Sequence, residues 1–188
     1  MIADDIKYLA LAELGYEKEP DFDDDGDNAV NAVNLQYEHL YDLALTSFEW
    51  NFCSAFDVLD GVPTDNKRYA YKFELPEDLL FLRGQYTDDC GSYLYDYYND
   101  GKYIYANVPT VYIRFTKKVN EELLPPYFVE YFKYKIAAKL CQTLTGDTDL
   151  LKLLISQEEI TFASAKNADI NQRPVAFLPT SEFIKVRF

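Results

Sequence analysis

The chain has 188 residues with 18 basic and 32 acidic side chains, a formal charge of −14, which repels phosphate and argues against general DNA or RNA binding. One histidine excludes a two-histidine metal site, seven scattered glycines build no phosphate-cradling loop, and a 48% hydrophobic content belongs to a globular protein rather than an acidic tail. Cys53, Cys90 and Cys141 show no close spacing and read as buried hydrophobes of a reducing compartment. Acids at Asp4 and Asp5 do not suit a signal peptide, and no apolar run reaches bilayer-spanning length.

In chain order, Ile2, Ile6, Leu9 and Leu14 approach helical spacing and Gly15 offers a C-cap, so a first helix is expected over 2–14. Residues 16–27 crowd seven acids around Pro20 and Gly26 and predict a solvated loop. Val30, Val33, Tyr37, Leu40, Ala44 and Phe48 then advance in steps of three and four, the strongest periodicity in the chain, and predict an amphipathic helix over 28–49. Between Gly61 and Lys118 the texture becomes short aromatic and β-branched runs. Tyr69, Tyr71 and Phe73 alternate with polar residues, Asn99-Asp100-Gly101 joins 94–98 to 103–106 as a hairpin, and Tyr112–Phe115 reads as a half-buried strand. Pro125-Pro126 suit a helix start, and Phe128, Phe132, Ile136, Leu140 and Leu144 carry a helix over 126–145. Thr145-Gly146-Asp147 supplies a C-cap and then an N-cap for a last helix over 148–168.

The expected fold is therefore α+β: an antiparallel helical bundle (1–58 and 118–169) with an inserted small β-rich module (59–117) and an extended C-terminal arm (170–188). In the bundle, Val33, Leu40, Ala44 and Phe48 should pack on Phe132, Ile136 and Leu140. Trp50 and Phe52 should anchor the junction with the β module, because they stand where the helical period stops.

Chemical constellations are few. Asp21–Asp27 matches the first half of a calcium loop, but Asn28 and Ala32 stand where an aliphatic residue and a bidentate glutamate are needed. A solvated loop whose Asp27 or Asn28 caps the helix is the plainer reading. His39 has no serine within reach along its helix, and the pairs Asp88-Asp89 and Glu158-Glu159 diverge where acid–base hydrolysis needs converging carboxyls. The 144–147 corner has the outline of a helix-turn-helix, yet its second helix opens with Asp147 and Asp149 rather than base-reading side chains. No catalytic residue, metal or cofactor is expected. Tyrosines 86, 93, 95, 97, 98, 103, 105 and 112 crowd into the predicted strands, and Tyr97 and Tyr98 must face opposite ways. Such a surplus suits a protein interface better than a sugar platform.

The order of the pieces resembles a known family. Tyr37 with Trp50-Asn51-Phe52 after a long helix, the segment Tyr69–Leu80 containing Leu75-Pro76-Glu77-Asp78, Pro126-Tyr127-Phe128, Ala137-Ala138, Leu144-Thr145-Gly146, and Ala168-Asp169 before Pro174 are similar to tail tubular protein A, the head-to-tail adaptor of short-tailed bacteriophages. The resemblance covers about residues 9–175. It implies a structural virion protein at the head–tail junction, assembled in the host bacterial cytoplasm, that forms a homo-oligomeric ring, usually twelve-fold. The ring would join the portal protein to the tail nozzle or other tail proteins and let DNA pass without specific binding. It implies no enzyme, no membrane partner, and Tyr37, Trp50 and Phe52 as structural anchors.

Two surfaces are candidates for assembly. Tyr95, Tyr97, Tyr98 and Tyr103 could face the tail. The segment 170–188 sets Arg173, Lys185 and Arg187 against Glu182 in an otherwise acidic chain and carries Val175, Phe177, Leu178, Phe183, Ile184, Val186 and Phe188. Its Arg173, Phe177, Phe183, Lys185, Arg187 and Phe188 are expected to contact the portal or a neighbouring subunit, by adding to a sheet edge or lying in a groove. The competing readings are a segment folded back on its own subunit and, for the whole chain, an acidic, tyrosine-rich module binding a carbohydrate or a calcium-dependent partner.

Overall fold

A computed structural model describes residues 3–18, 20–24, 26–89 and 91–172. Four helices, α1 (Ala3–Ala12), α2 (Asn28–Thr46), α3 (Pro126–Leu144) and α4 (Thr148–Ile170), flank seven strands. The strands are β1 (Ser54–Asp60), β2 (Val62–Pro63), β3 (Tyr71–Glu74), β4 (Leu79–Tyr86), β5 (Tyr97–Asn99), β6 (Tyr103–Ala106) and β7 (Thr110–Lys117). They form two antiparallel sheets, ordered β1-β7-β4 and β2-β3-β6-β5.

The expected helical bundle with an inserted module is wrong: the chain is an α+β mix in which two antiparallel sheets fill the middle. The helices pack chiefly on α3 instead of closing a four-membered bundle among themselves. The β region has its own core of Phe73, Leu75, Leu94, Ile104, Ala106, Val111, Ile113 and Phe115, separate from that of the helices. It is also tied to the helices. The Arg83 guanidinium on β4 donates to the carbonyls of Thr46 and Phe48, each 2.9 Å, and to Thr116 Oγ1. Arg114 on β7 pairs with Glu49 at 3.2 Å.

The helices are explained by their sequences. Asp27 caps α2 through its carboxylate on the Ala29 N–H, and Val33, Tyr37, Leu40, Tyr41, Ala44 and Leu45 bury one stripe. The helix stops at Thr46, three residues short of expectation, so Phe48 lies in the following turn, partly buried. Gly146 adopts φ +66°, where a side chain would be strained, and its N–H returns to the Cys141 carbonyl to end α3. Asp147 then caps α4 on the Asp149 and Leu150 N–H groups. The predicted hairpin forms between β5 and β6, closed by Asp100, whose carboxylate accepts from the Lys102 and Tyr103 N–H groups. Those two bonds, chiefly the one from Tyr103, hold its carboxyl below the ordinary range.

Ile2, Cys90 and the whole segment 173–188 lie outside the described residues, and with them nearly all of the expected C-terminal arm. Among the described residues no helix is long and apolar enough to cross a membrane.

Candidate functional site

The residues with the most connections gather where α2 hands over to β1. Trp50 is fully buried, and its ring meets those of Phe48, Phe52, Tyr127, Phe128, Tyr131 and Phe162 at centroid distances of 5.0–6.5 Å. Its indole N–H donates to the Ala44 carbonyl at 3.0 Å, which satisfies the polar atom of an otherwise apolar anchor. From Phe128 the aromatic contacts continue through Phe132, 5.9 Å away, to Tyr37 at 5.6 Å. Tyr37 stacks on Tyr41 at 16°. Burial pushes both phenols well above the ordinary tyrosine range.

Beside Trp50 lies a polar clamp. Asp169, near the end of α4 and fully buried, accepts the Asn51 backbone N–H with both carboxylate oxygens at 3.0 Å and the Tyr127 hydroxyl at 2.8 Å. The Asn51 side-chain amide returns a hydrogen bond to the Asp169 carbonyl at 2.6 Å. A buried carboxylate is tolerated only when it is bonded in this way. Desolvation first, and then the Asp169 partnership, raises the Tyr127 phenol. Cys53 sits alongside, its thiol pushed up to about 12 by burial, so it is chemically quiet.

Tyr37, Trp50-Asn51-Phe52, Tyr127-Phe128 and Asp169, scattered in sequence, are thus one connected unit. It ties α2, α3, α4 and the start of β1 together. Trp50, Phe128 and Asp169 are fully buried in it, and Asn51, Phe52 and Tyr127 partly so. Asp169 is the member whose role residue-by-residue reading missed; in sequence it is one more polar residue in a mostly polar last turn, and only its place in the family-like series marks it out.

The tyrosine candidates do not form one surface. Tyr97 is half-buried and packs on the β core, whereas Tyr98 points outward beside Tyr105, 5.9 Å between centroids. Tyr103 joins them at 6.4 Å from Tyr105, with the Lys72 and Lys102 ammonium groups over its ring. Tyr95, 87% exposed, belongs to a separate group with Tyr93 and Tyr86. A shallow cleft of about 400 Å³ opens next to that group, lined by Phe56, Tyr86, Asp88, Asp89, Gly91 and Tyr112.

Three carboxylates of the acidic loop turn back on neighbouring backbone: Asp21 accepts the Asp23 N–H, Asp24 the Gly26 N–H and Asp27 the helix start. Among the described residues no three His, Cys, Asp or Glu side chains are placed to hold a metal ion. His39 is exposed on α2. The arm residues Arg173, Phe177, Phe183, Lys185, Arg187 and Phe188 fall outside the described residues.

No known protein-family model matches the chain, and no curated protein matches it. The phage-adaptor resemblance therefore rests on the quoted residues and on their order.

Proposed function

We propose that the chain is a structural subunit of a phage head-to-tail adaptor, a ring that sits between portal and tail. The observation that carries this reading is the convergence of the family-like residues, from Tyr37 through Trp50-Asn51-Phe52 and Tyr127-Phe128 to Asp169, on one buried anchor. Residues that a family shares for structural reasons belong in such an anchor, whereas shared catalytic residues would converge on an open pocket. Two further features fit. The net charge of −14 would let DNA slide past without sticking if it faced a channel. Large apolar side chains left on the surface, among them Phe56, Val58, Tyr95, Leu153 and Ile160, are what a subunit keeps for its neighbours.

On this reading the protein works at the head–tail junction of the virion, is assembled in the host cytoplasm, and forms a ring. Native mass spectrometry of the chain alone and mixed with its portal protein tests it. Closed rings or portal-bound rings are the expected species. Monomers that never close a ring or join a portal overturn it. The segment 170–188 acts as the assembly arm, and removing 175–188 should leave a folded, soluble chain that no longer joins the ring or the portal. The tail side is served by two separate tyrosine groups, Tyr95 in one and Tyr97, Tyr98 and Tyr103 in the other, of which Tyr97 and Tyr103 are half-buried.

A second reading, a carbohydrate-binding module, is favoured by the cleft in which Phe56, Tyr86 and Tyr112 stand beside Asp88 and Asp89. Saccharide binding that Tyr112→Ala abolishes in a chain that never oligomerises would select it.

A further inference from the structure

Strand β1 is the longest uncovered sheet edge. It pairs with β7 on one side and, among the described residues, with no strand on the other. The remaining edges are shorter or partly closed. β2 has two residues, one of them Pro63, and β5 has three. The outer side of β4 is met by the Tyr86–Tyr93 bridge and by the Leu94 N–H on the Gln85 carbonyl. Along β1, Phe56 is 73% and Val58 53% exposed, and the acids Asp57 and Asp60 flank them. The Val58 N–H is taken up by the carboxylate of Asp57 at 2.8 Å, a side-chain stand-in for a strand partner. An edge of this length with apolar side chains outside is a template for another strand.

The chain itself carries a matching strand. In Ser181-Glu182-Phe183-Ile184-Lys185-Val186-Arg187-Phe188, an extended backbone puts Ile184, Val186 and Phe188 on one face and Lys185 and Arg187 on the other. We propose that residues 181–188 of one subunit add to β1 of a neighbouring copy, antiparallel, with Ile184, Val186 and Phe188 beside Phe56 and Val58 and with Lys185 and Arg187 on the face of Asp57. The proposal rests on the ring reading and names the subunit-to-subunit contact of that ring. Main-chain hydrogen bonds supply the affinity and the two alternating faces the register.

Geometry selects a neighbour over the segment's own β1. The Asp169–Asn51 clamp fixes the exit of α4 three residues before Ser54, at the entry end of β1. A strand formed straight from that exit on its own β1 would have to pair parallel, whereas every pairing of named strands in the two sheets is antiparallel. Parallel ladders are the weaker kind. A neighbour's β1 can be approached from its Asp60 end. Residues 173–180, the link to the added strand, span at most roughly 27 Å when extended, about the length of a strand such as β1, which leaves little chain for a reversal onto its own β1 and requires the neighbour's Asp60 end to lie within that distance.

The test mixes two full-length chains, each with Cys90→Ser: one carries Val58→Cys, the other Val186→Cys. Under mild oxidation the mixture should give a disulfide-linked dimer at least ten times more abundant than either chain gives alone. Lys185→Glu with Arg187→Glu should remove it, and adding Asp57→Lys to the partner should restore it. No dimer in the mixture overturns the proposal. So does a chain carrying both cysteines that closes the link only within itself. Closed rings on the portal without the 58–186 link defeat strand addition and leave the ring reading intact, while the link without any closed ring defeats the ring reading alone.

Discussion

Trp50 and Phe56 stand six residues apart on one stretch of chain and meet opposite fates: the first has no exposed surface, the second shows 73% of its own. Trp50 lies where α2, α3, α4 and the start of β1 meet, and rings close over it from several elements. Phe56 lies on the outer face of an edge strand, where only one neighbour exists. Aromatic character does not decide burial here; the number of elements that can reach a position does. One end of this short stretch holds the fold together, and the other, on the adaptor reading, is kept for contact.

Substituting each residue tests that contrast most directly. Trp50→Ala removes a fully enclosed side chain and should cost roughly 3–5 kcal/mol in denaturant unfolding. A loss below about 1 kcal/mol would mean that the junction is not a core. Alkali offers a second route to the same core. The folded phenols of Tyr37 and Tyr41 are raised above the unfolded value, so their contribution is complete below about pH 10 and is lost as pH rises beyond it. Stability should fall by about 2–3 kcal/mol by pH 11, followed by circular dichroism with tyrosinate absorbance; the exposed tyrosines ionise first, and ionisation of all seventeen before any loss of helix would place these rings in solvent.

Asp169→Ala takes the carboxylate acceptor away from the Asn51 N–H and the Tyr127 hydroxyl and should cost about 2–3 kcal/mol. Proteolysis should then cut first within α4. Phe56→Ser is the opposite extreme. It should change unfolding free energy by less than about 0.5 kcal/mol while weakening self-association in sedimentation. Should it destabilise the monomer instead, β1 is covered in the free subunit and the contrast collapses.

What can be read from the sequence follows the same division. Helices with a long apolar period and explicit caps, Asp27 before α2 and Asp147 before α4, are legible to within a few residues. So is the hairpin turn at Asn99-Asp100-Gly101, because its chemistry is local. Of the first sheet only β7 is, as the strand read at Tyr112–Phe115. In β1 the alternation is blurred because Phe56 and Val58 face outward, and β4 reads Leu-Leu-Phe-Leu with two register shifts against β7, so neither shows a clean period of two. Without them the β region passes for a small insert, and the bundle is overdrawn. At the anchor, Trp50 and Phe52 are visible as bulky residues at a break in periodicity, whereas Asp169 depends on a partner 118 positions away, which no local pattern encodes.

That separation bears on how the molecule comes together and apart. α4 buries only Leu154, Ala165 and Asp169 and leans almost wholly on α3, so it is the natural unit to detach first. Its clamp on Asn51 closes a loop of 118 positions, a step whose entropy is repaid only after the rest has formed. Amide exchange should therefore report α4 opening as a block, ahead of α3. Each such opening would bare one side of the indole, so the single clamp at residue 169 sets how often the half-finished protein presents an adhesive face to its surroundings.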